Sequence, residues 1–322
     1  MATVPSNLYQ KASLKGDRED LLDKIFNTDP TETPVLSGSG RQTATNTLHE
    51  WQRDGLATAN KDNAMVDGDD VTLDAQTPTE RVGNYPQIFS KKPGTSRRAN
   101  LVKKAGRGSE QGYIRGKAML EIKRDIEAMI LSNNLAVAPT TSVAAKSGGL
   151  GIQLYVNALH GGSGATPAWT TGAPTAALTA GTNRAFSKTL LDTACQNVFG
   201  QSGKFVEMAV VSPSHKALFS GFTGIASNRF EVKGKQQGVV VGGADVYLSD
   251  FGAITIVPHW AMVGATDVFL LNTEFIDTAW LDGFQTSKLG KSGDSERELI
   301  TADVCLAVRA SKAQAKIANL TP

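Results

Sequence analysis

The stretch from Asp245 to Arg309 alternates short apolar runs with turn residues: DVYLS, a DFG turn, AITIVP, DVFLL, FIDTAWLDGFQTSK, the charge-dense GKSGDSERE, and LITADVCLAVRA. Short β-branched and aromatic runs bounded by Gly, Asp and Pro read as strands. The last of them, 298–310, places Ile300, Ala302, Val304, Leu306 and Val308 on one face and Thr301, Asp303 and Cys305 on the other. One face is therefore predicted to be core and the other half-exposed. No nucleophile, base or metal cluster falls in this segment, which is built to pair and pack.

The N-terminal part is extended and polar. Residues 41–52 (RQTATNTLHEWQ) and 79–92 (TERVGNYPQIFSKK) flank a Gly-, Asp- and Asn-rich centre, which describes a long hairpin. Neither arm carries enough apolar residues for a core. A lone two-stranded hairpin is marginal in water, so this one must lie against the body or a neighbouring subunit. Pro86 restricts the second arm to edge pairing. Upstream, a short helix is predicted at Asp17–Phe26, where Leu21, Leu22, Ile25 and Phe26 share a face. TDPTETP breaks it, and SGSG follows as a flexible joint.

Downstream, Ile114, Ala118, Ile122, Ile126, Met129 and Ile130 form one stripe of a helix over Ser109–Asn133. Arg115, Lys117, Lys123, Arg124 and Glu127 are placed largely off that stripe. Ser109 caps the helix, and Asn133, Asn134 and Pro139 end it; it should act as a strut. Residues 140–183 are rich in Gly, Ala, Ser and Thr around an island, GIQLYVNALH, and a loop of that length is functional or disordered. A second helix is predicted from Thr182, through Phe186, Leu191 and Val198. MAVVS reads as a buried strand, and Ser212 caps a short helix with Pro213 at its first position. There is no internal repeat.

The chain has 322 residues, 40% of them hydrophobic, enough for one large domain or two modest ones. Lys and Arg number 33 against 31 Asp and Glu, so there is no global electrostatic claim on nucleic acid. Cys195 and Cys305 lie far apart in sequence, which suits a reducing cytoplasm and two small buried hydrophobes. No secretion signal or membrane span is read, and synthesis as a soluble cytoplasmic protein is expected.

Chemistry is sparse. His49, His160, His215 and His259 are too scattered for a zinc site. Ser214 and His215 are neighbours in a helix and do not face each other. SGSGRQT and GGLGIQ lack the spacing of a phosphate or dinucleotide loop. Asp67, Asp69 and Asp70 lack the register and closing Glu of a calcium loop. No catalytic residue, metal ligand or cofactor is assigned. The charges, however, are blocked. Acids dominate 49–80 (Glu50, Asp54, Asp62, Asp67, Asp69, Asp70, Asp74 and Glu80), and bases dominate 81–124 (among them Arg81, Arg97, Arg98, Lys103, Lys104 and Arg115). Blocks so close in sequence are not expected to neutralise each other fully within one hairpin and helix. Three readings stay open: pairing of the acidic tip with a basic surface of another copy, a basic face toward nucleic acid, and solvated faces.

The order of pieces resembles the major capsid proteins of tailed double-stranded DNA bacteriophages (Caudoviricetes) with the Hong Kong 97 (HK97) fold. The resemblance rests on FQTSKLGKSGDSERE, on SPSHKALFSGF, and on HEWQRDGLATANKDNAMVDGDD, which looks like the extended loop of that family. It implies an α+β chain with an N-terminal arm (1–40), an extended hairpin loop (41–97), a peripheral domain with the spine helix (98–139), an axial domain (140–275), and peripheral strands with the C-terminus (276–322). It further implies self-assembly into hexamers and pentamers of an icosahedral virion shell around double-stranded DNA, touched non-specifically. Implied partners are a separate scaffolding protein, since nothing before Arg41 resembles a scaffolding segment, a portal, and decoration or minor capsid proteins, with no membrane. Implied contacts between subunits are Trp51, Asp67, Asp69, Asp70 and Arg81 in the loop, and Arg97, Arg98, Lys103, Lys104 and Arg115 in the basic block. Lys288, Lys291, Asp294, Glu296 and Arg297 are implied at a threefold position. Some relatives crosslink a Lys to an Asn; Lys61 and Asn63 sit in the right kind of loop, but no acidic catalyst can be assigned. The rivals are an encapsulin-like nanocompartment shell and a nucleic-acid-binding protein using 81–124.

Overall fold

Ser109 accepts a hydrogen bond from the Gly112 amide (3.2 Å) and opens a helix of 21 residues, Glu110–Ile130, roughly 31 Å long at ~1.5 Å per residue. The computed structural model in which it lies describes residues 8, 11, 14–15, 19–70, 73–222, 245–291 and 293–322. Along the chain come α1 (Pro34–Gly38), β1 (Gly40–Thr43), β2 (His49–Arg53), β3 (Glu80–Asn84), β4 (Gln87–Lys91), β5 (Gly94–Ser96), α2 (Arg97–Leu101) and the long α3. Then follow α4 (Leu150–Gln153), β6 (Ala158–Leu159), α5 (Lys188–Ser202), β7 (Met208–Val211) and α6 (Pro213–Ser220). The C-terminal part supplies β8 (Val246–Ser249), β9 (Gly252–Pro258), β10 (Val268–Leu271), β11 (Ile276–Lys288), β12 (Ser295–Val308) and β13 (Ala315–Ile317).

Two sheets carry the body. One runs β1-β11-β12-β4, with β5 paired to the far end of β12; the other runs β6-β13-β10-β7-β9-β8. The α3 stripe (Ala118, Ile122, Ile126, Met129, Ile130) packs on Phe89 of β4 and on Ile300, Ala302, Val304, Leu306 and Val308 of β12, the face predicted from alternation. This core continues into the second sheet through Val210, Phe269 and Leu271. The alternate residues, Ala209, Val211, Val268 and Leu270, face a second core under α5. Period-two alternation thus lets β7 and β10 divide their side chains between two cores.

Several expectations change. The helix predicted at Asp17–Phe26 is absent over its described part, from Glu19; its apolar side chains lie exposed, since a helix of ten residues needs a surface to pack on. Among the described residues, only His49–Arg53 and Glu80–Asn84 pair as a hairpin. The flanking residues join the five-stranded sheet instead, β1 parallel to β11 and β4 antiparallel to β12. Pro86 falls between β3 and β4, so the arm expected as one edge strand is split into two, and its missing N–H is kept out of both ladders; β4 is an edge strand of its sheet. The helix predicted from Thr182 begins at Lys188, where Ser187 accepts from the Leu190 amide, and ends at Gly203 in the left-handed conformation. Cys305 is fully buried with Ala44 and Ala279, so the second face of β12 is half-exposed only in its first part. Glu127, placed off the helix stripe by its charge, is fully buried. The segment 276–322 is divided, because β13 returns to the six-stranded sheet.

Candidate assembly interfaces

The hairpin root is clamped by the Gly/Thr-rich segment. Arg53 lies over the rings of Trp169 (4.8 Å) and Tyr155 (5.6 Å), pairs with Glu80 (3.2 Å) and donates to the Trp169 carbonyl. Trp51 meets Trp169 edge-on at 5.7 Å. The amide of Gly83 donates to the Gly172 carbonyl (2.7 Å), and that of Gly172 to the Arg81 carbonyl (3.1 Å). A Cβ on Gly83 would stand 2.7 Å from the Glu50 side chain and the His49 carbonyl, so only Gly allows this approach. Buried Asn84 donates to Ser147, Gly148 and Leu306, stapling the root to the body. Burial lowers the pKa of His49 and raises that of the Tyr155 phenol, with Arg53 opposing the latter.

Beyond this root the described residues of the loop are exposed. Asp67, Asp69 and Asp70 stand exposed in the loop, and the Asp69 carboxylate turns back on the Asp70 amide (2.9 Å). With them stand Leu56 (101% exposed), Met65, Val66 and Leu73 (97%). Sequence reasoning passed over these four because the loop reads as polar on average. Its signal was single apolar residues recurring in a segment with no apolar face of its own.

The expected threefold loop and the basic block come together. Arg97 pairs with Asp294 through Nε (3.0 and 3.1 Å), and Glu296 accepts from Asn100 (3.2 Å). Arg115 forks onto Glu298, with Nε at 2.7 Å. That hydrogen bond holds the Glu298 carboxyl below its usual range and raises the Arg115 pKa. Lys288, Lys291, Arg297 and Arg115 line an open cavity of about 320 Å³ at the start of α3, together with Gln111 and Glu296. The charge argument drawn from sequence therefore needs correction. Arg81 pairs with Glu50, Lys91 with Asp125 (2.9 Å), and Arg107 with Glu110 (2.6 Å), so much of the basic block is neutralised within the chain, partly by acids distant in sequence. Arg98 and Lys103 are exposed, and Lys104 is half-buried.

A third site, not foreseen, holds the arm. The Glu127 carboxylate accepts the amides of Val35 (2.9 Å) and Leu36 (2.8 Å), capping α1 from the side of α3. His259 Nδ1 accepts from the Ala261 amide (3.0 Å), which leaves the proton of the neutral ring on Nε2, 3.3 Å from Glu127. Trp260 donates to the Glu32 carbonyl (2.9 Å) beneath Arg124. The signal for Glu127 was its position between Ile126 and Ile130, within the arc of the apolar stripe.

The remaining polar clusters serve the fold. His215, buried, bridges Ser212 (2.8 Å) and the Thr321 carbonyl (3.0 Å), tying down the C-terminus. Both cysteines are buried, and their thiols are pushed up to about 12 by desolvation. Among the described residues no group of His, Cys, Asp and Glu is placed to hold a metal ion.

The profile of the SU10 major capsid protein matches residues 5–321. The major capsid protein of Escherichia phage Phieco32 is 37% identical over 103 residues, which are 32% of this chain and 29% of that relative's length. The capsid asymmetric unit of cyanophage A-1(L) superposes with a TM-score of 0.64 at 11% identity, covering 97% of this chain and 99% of the other. A chain of the phage G structure of major capsid and decoration proteins gives 0.52 at 10% identity over 99% and 100% of the chains. The architecture is thus the HK97-type α+β fold, and the family match spans nearly every residue: the chain belongs to the SU10 major capsid protein family.

Proposed function

We propose that this chain is the major capsid protein of a tailed phage, assembling as hexamers and pentamers into an icosahedral head around double-stranded DNA. The observation that carries the reading, beside family membership, is the hairpin loop. A clamped root holds out residues 54–70 and 73–79, and Leu56 and Leu73 find no cover among the described residues. Exposed apolar residues on a projecting segment call for a partner surface, and a shell of identical subunits supplies one at every position.

In this reading residues 1–40 form the arm and 41–97 the extended loop. Residues 98–139 form the peripheral domain with its spine helix, 140–275 the axial domain, and 276–322 return to the periphery apart from β13, which pairs in the six-stranded sheet. The cavity beside Arg115, Lys288, Lys291 and Arg297 is offered as the receiver of a neighbour's Asp67, Asp69 and Asp70, by charge complementarity. Glu296, which lines it, and the Arg97–Asp294 pair serve as further contact charges. Trp51 and Arg81 serve the loop from its root, and Arg98, Lys103 and Lys104 face a neighbour. A scaffolding protein, a portal and decoration or minor capsid proteins complete the set of partners, and synthesis takes place in the host cytoplasm. The family match favours the phage head over a nanocompartment. The pairing of Arg81, Arg97, Arg107 and Arg115 with carboxylates weakens the case for 81–124 as a nucleic-acid-binding surface.

Electron microscopy of particles from infected cells, with nuclease protection on the same sample, tests this. Closed shells with protected DNA are expected. Shells filled with protein cargo would move the reading to the nanocompartment, and small oligomers with salt-sensitive DNA binding would move it to the basic segment.

A further inference from the structure

The Gly- and Thr-rich segment is fastened alongside β13 at both ends, through Leu159 and Arg184. It serves the fold there, and it leaves two opposite charges that the fold does not pair. Lys316 of β13 is fully buried, which is rare for an ammonium. Two of its three protons are used, on the Gly151 carbonyl and on Thr166 Oγ1 (2.8 Å); the third has no acceptor among the described residues. Thr166 accepts from Lys316 and so gives its own proton to His160 Nε2 (2.9 Å). The neutral ring then donates from Nδ1 to Asn319 Oδ1 (3.3 Å). A Cβ on Gly181 would stand 2.5 Å from that oxygen, so the segment needs glycine there. Asn319 is the one non-glycine residue with a positive φ (58°) among the described residues.

Lys316 and Asn319 line a cavity of about 210 Å³ with His160, Thr179, Asn133 and Asp267. Asp267 is buried as well. Its Oδ2 accepts from Asn133 (2.9 Å), while its Oδ1 has the Thr266 hydroxyl at 3.4 Å. It attracts Lys316, yet no ion pair joins the two among the described residues. Desolvation pulls the Lys316 ammonium down to about 8 against that attraction. Burial, and then Lys316, lower the pKa of His160, whose two nitrogens are both engaged, so it brings no charge to the cavity. Two buried opposite charges that face one cavity without touching are each poorly compensated.

We propose that this cavity binds a small zwitterion of amino-acid size, its carboxylate or sulfonate on Lys316 and its ammonium on Asp267. Such a molecule meets both charges at once. A simple anion would be repelled by Asp267 and a simple cation by Lys316, and either would leave one wall unpaired. A few convergent polar groups in a cavity between packed elements are the usual form of a small-molecule site. Asn133 lies just beyond α3 and Lys316 in β13, so a bound ligand would tie the end of the long helix to the six-stranded sheet.

Calorimetric titration of the full chain at two temperatures, in whatever oligomer it forms, tests this with glycine, β-alanine and taurine as probes. At least one should bind about tenfold or more tightly than acetate, methanesulfonate and methylammonium at matched ionic strength. Acetate or methanesulfonate binding as tightly as the best zwitterion would make this a plain anion site, and equal binding of methylammonium a plain cation site. No binding of any probe would leave a cavity for water alone. Each of these results overturns the inference, and none needs a variant to fold. Lys316→Met and Asp267→Asn, each checked for cooperative thermal unfolding, should lower affinity for the best probe about tenfold or more. Undiminished binding by either folded variant would place the probe elsewhere and equally overturn it. Nothing in the titration depends on shell formation, so this inference and the capsid reading stand or fall separately.

Discussion

In the six-stranded sheet, β7 and β10 are flanked on both edges and bury side chains into two cores, Val210, Phe269 and Leu271 toward α3 and Ala209, Val211, Val268 and Leu270 toward α5. The β2–β3 hairpin pairs its two strands with each other, is held at its root by Arg53, Trp169, Gly172 and Asn84, and then extends into residues 54–70 and 73–79 with apolar residues in water. The first region completes its packing within one chain. The second is specified in detail at its base and left unfinished beyond it. The arm repeats the pattern, locked from Glu32 to Ser39 and exposed over 19–31. Where a chain clamps a segment firmly and then leaves its apolar side chains uncovered, the missing partner is part of the design.

The contrast breaks if the self-contained region tolerates damage. Leu306→Ala, in the shared core, should cost the isolated subunit about 4 kcal/mol in urea unfolding and remove shells as a consequence. Glu127→Ala should cost about 3 kcal/mol, because it strands the Val35 and Leu36 amides. It should also expose the backbone near α1 to protease, which Leu306→Ala at equal stability should not.

A smaller effect sharpens the contrast through pH. Arg115 depresses the folded pKa of Glu298, so the stability from this pair is complete above the unfolded value near 4.5 and is lost as pH falls through the lower folded value. Asp277 has the opposite sign. Burial raises it above 3.8 against the pull of Arg309 and His49, so its contribution is present at low pH and lost as pH rises through the raised value. Glu298→Gln should therefore cost about 1 kcal/mol at neutral pH and remove much of the acid sensitivity below pH 4.5. Asp277→Asn should leave that acid limb in place. Chemical denaturation across pH 3–7 separates the two.

How much of this could be read from sequence depended on where each segment finds its partners. The α3 stripe, the β12 alternation and the Ser109 and Ser212 caps were legible because local periodicity and backbone chemistry decide them. The arm helix was legible as a pattern and is absent over its described part, since Leu21, Leu22 and Phe26 have nothing among the described residues to cover them. Glu127 was misplaced because a charge on a helix is normally solvated, and only the α1 amides, 92 and 91 residues away, explain its burial. The pairing of Arg97 with Asp294 and of Arg115 with Glu298 was hidden in the same way, by sequence distance, so the basic block looked less neutralised than it is.

The smallest expected effect on the subunit is the most telling. Leu73 is 97% exposed and far from either core, so Leu73→Asp should change subunit stability by less than about 0.5 kcal/mol. If the hairpin loop is completed by a neighbouring copy, the same change places a carboxylate in a buried contact and should abolish or slow shell formation severely, while Leu73→Ile does not. Sedimentation of assembled against unassembled protein reads this directly. An Asp variant that assembles like the parent would mean that Leu73 faces solvent in the shell as well. The loop would then be held by its acids alone, and reversing Asp67, Asp69 and Asp70 would have to carry the whole effect.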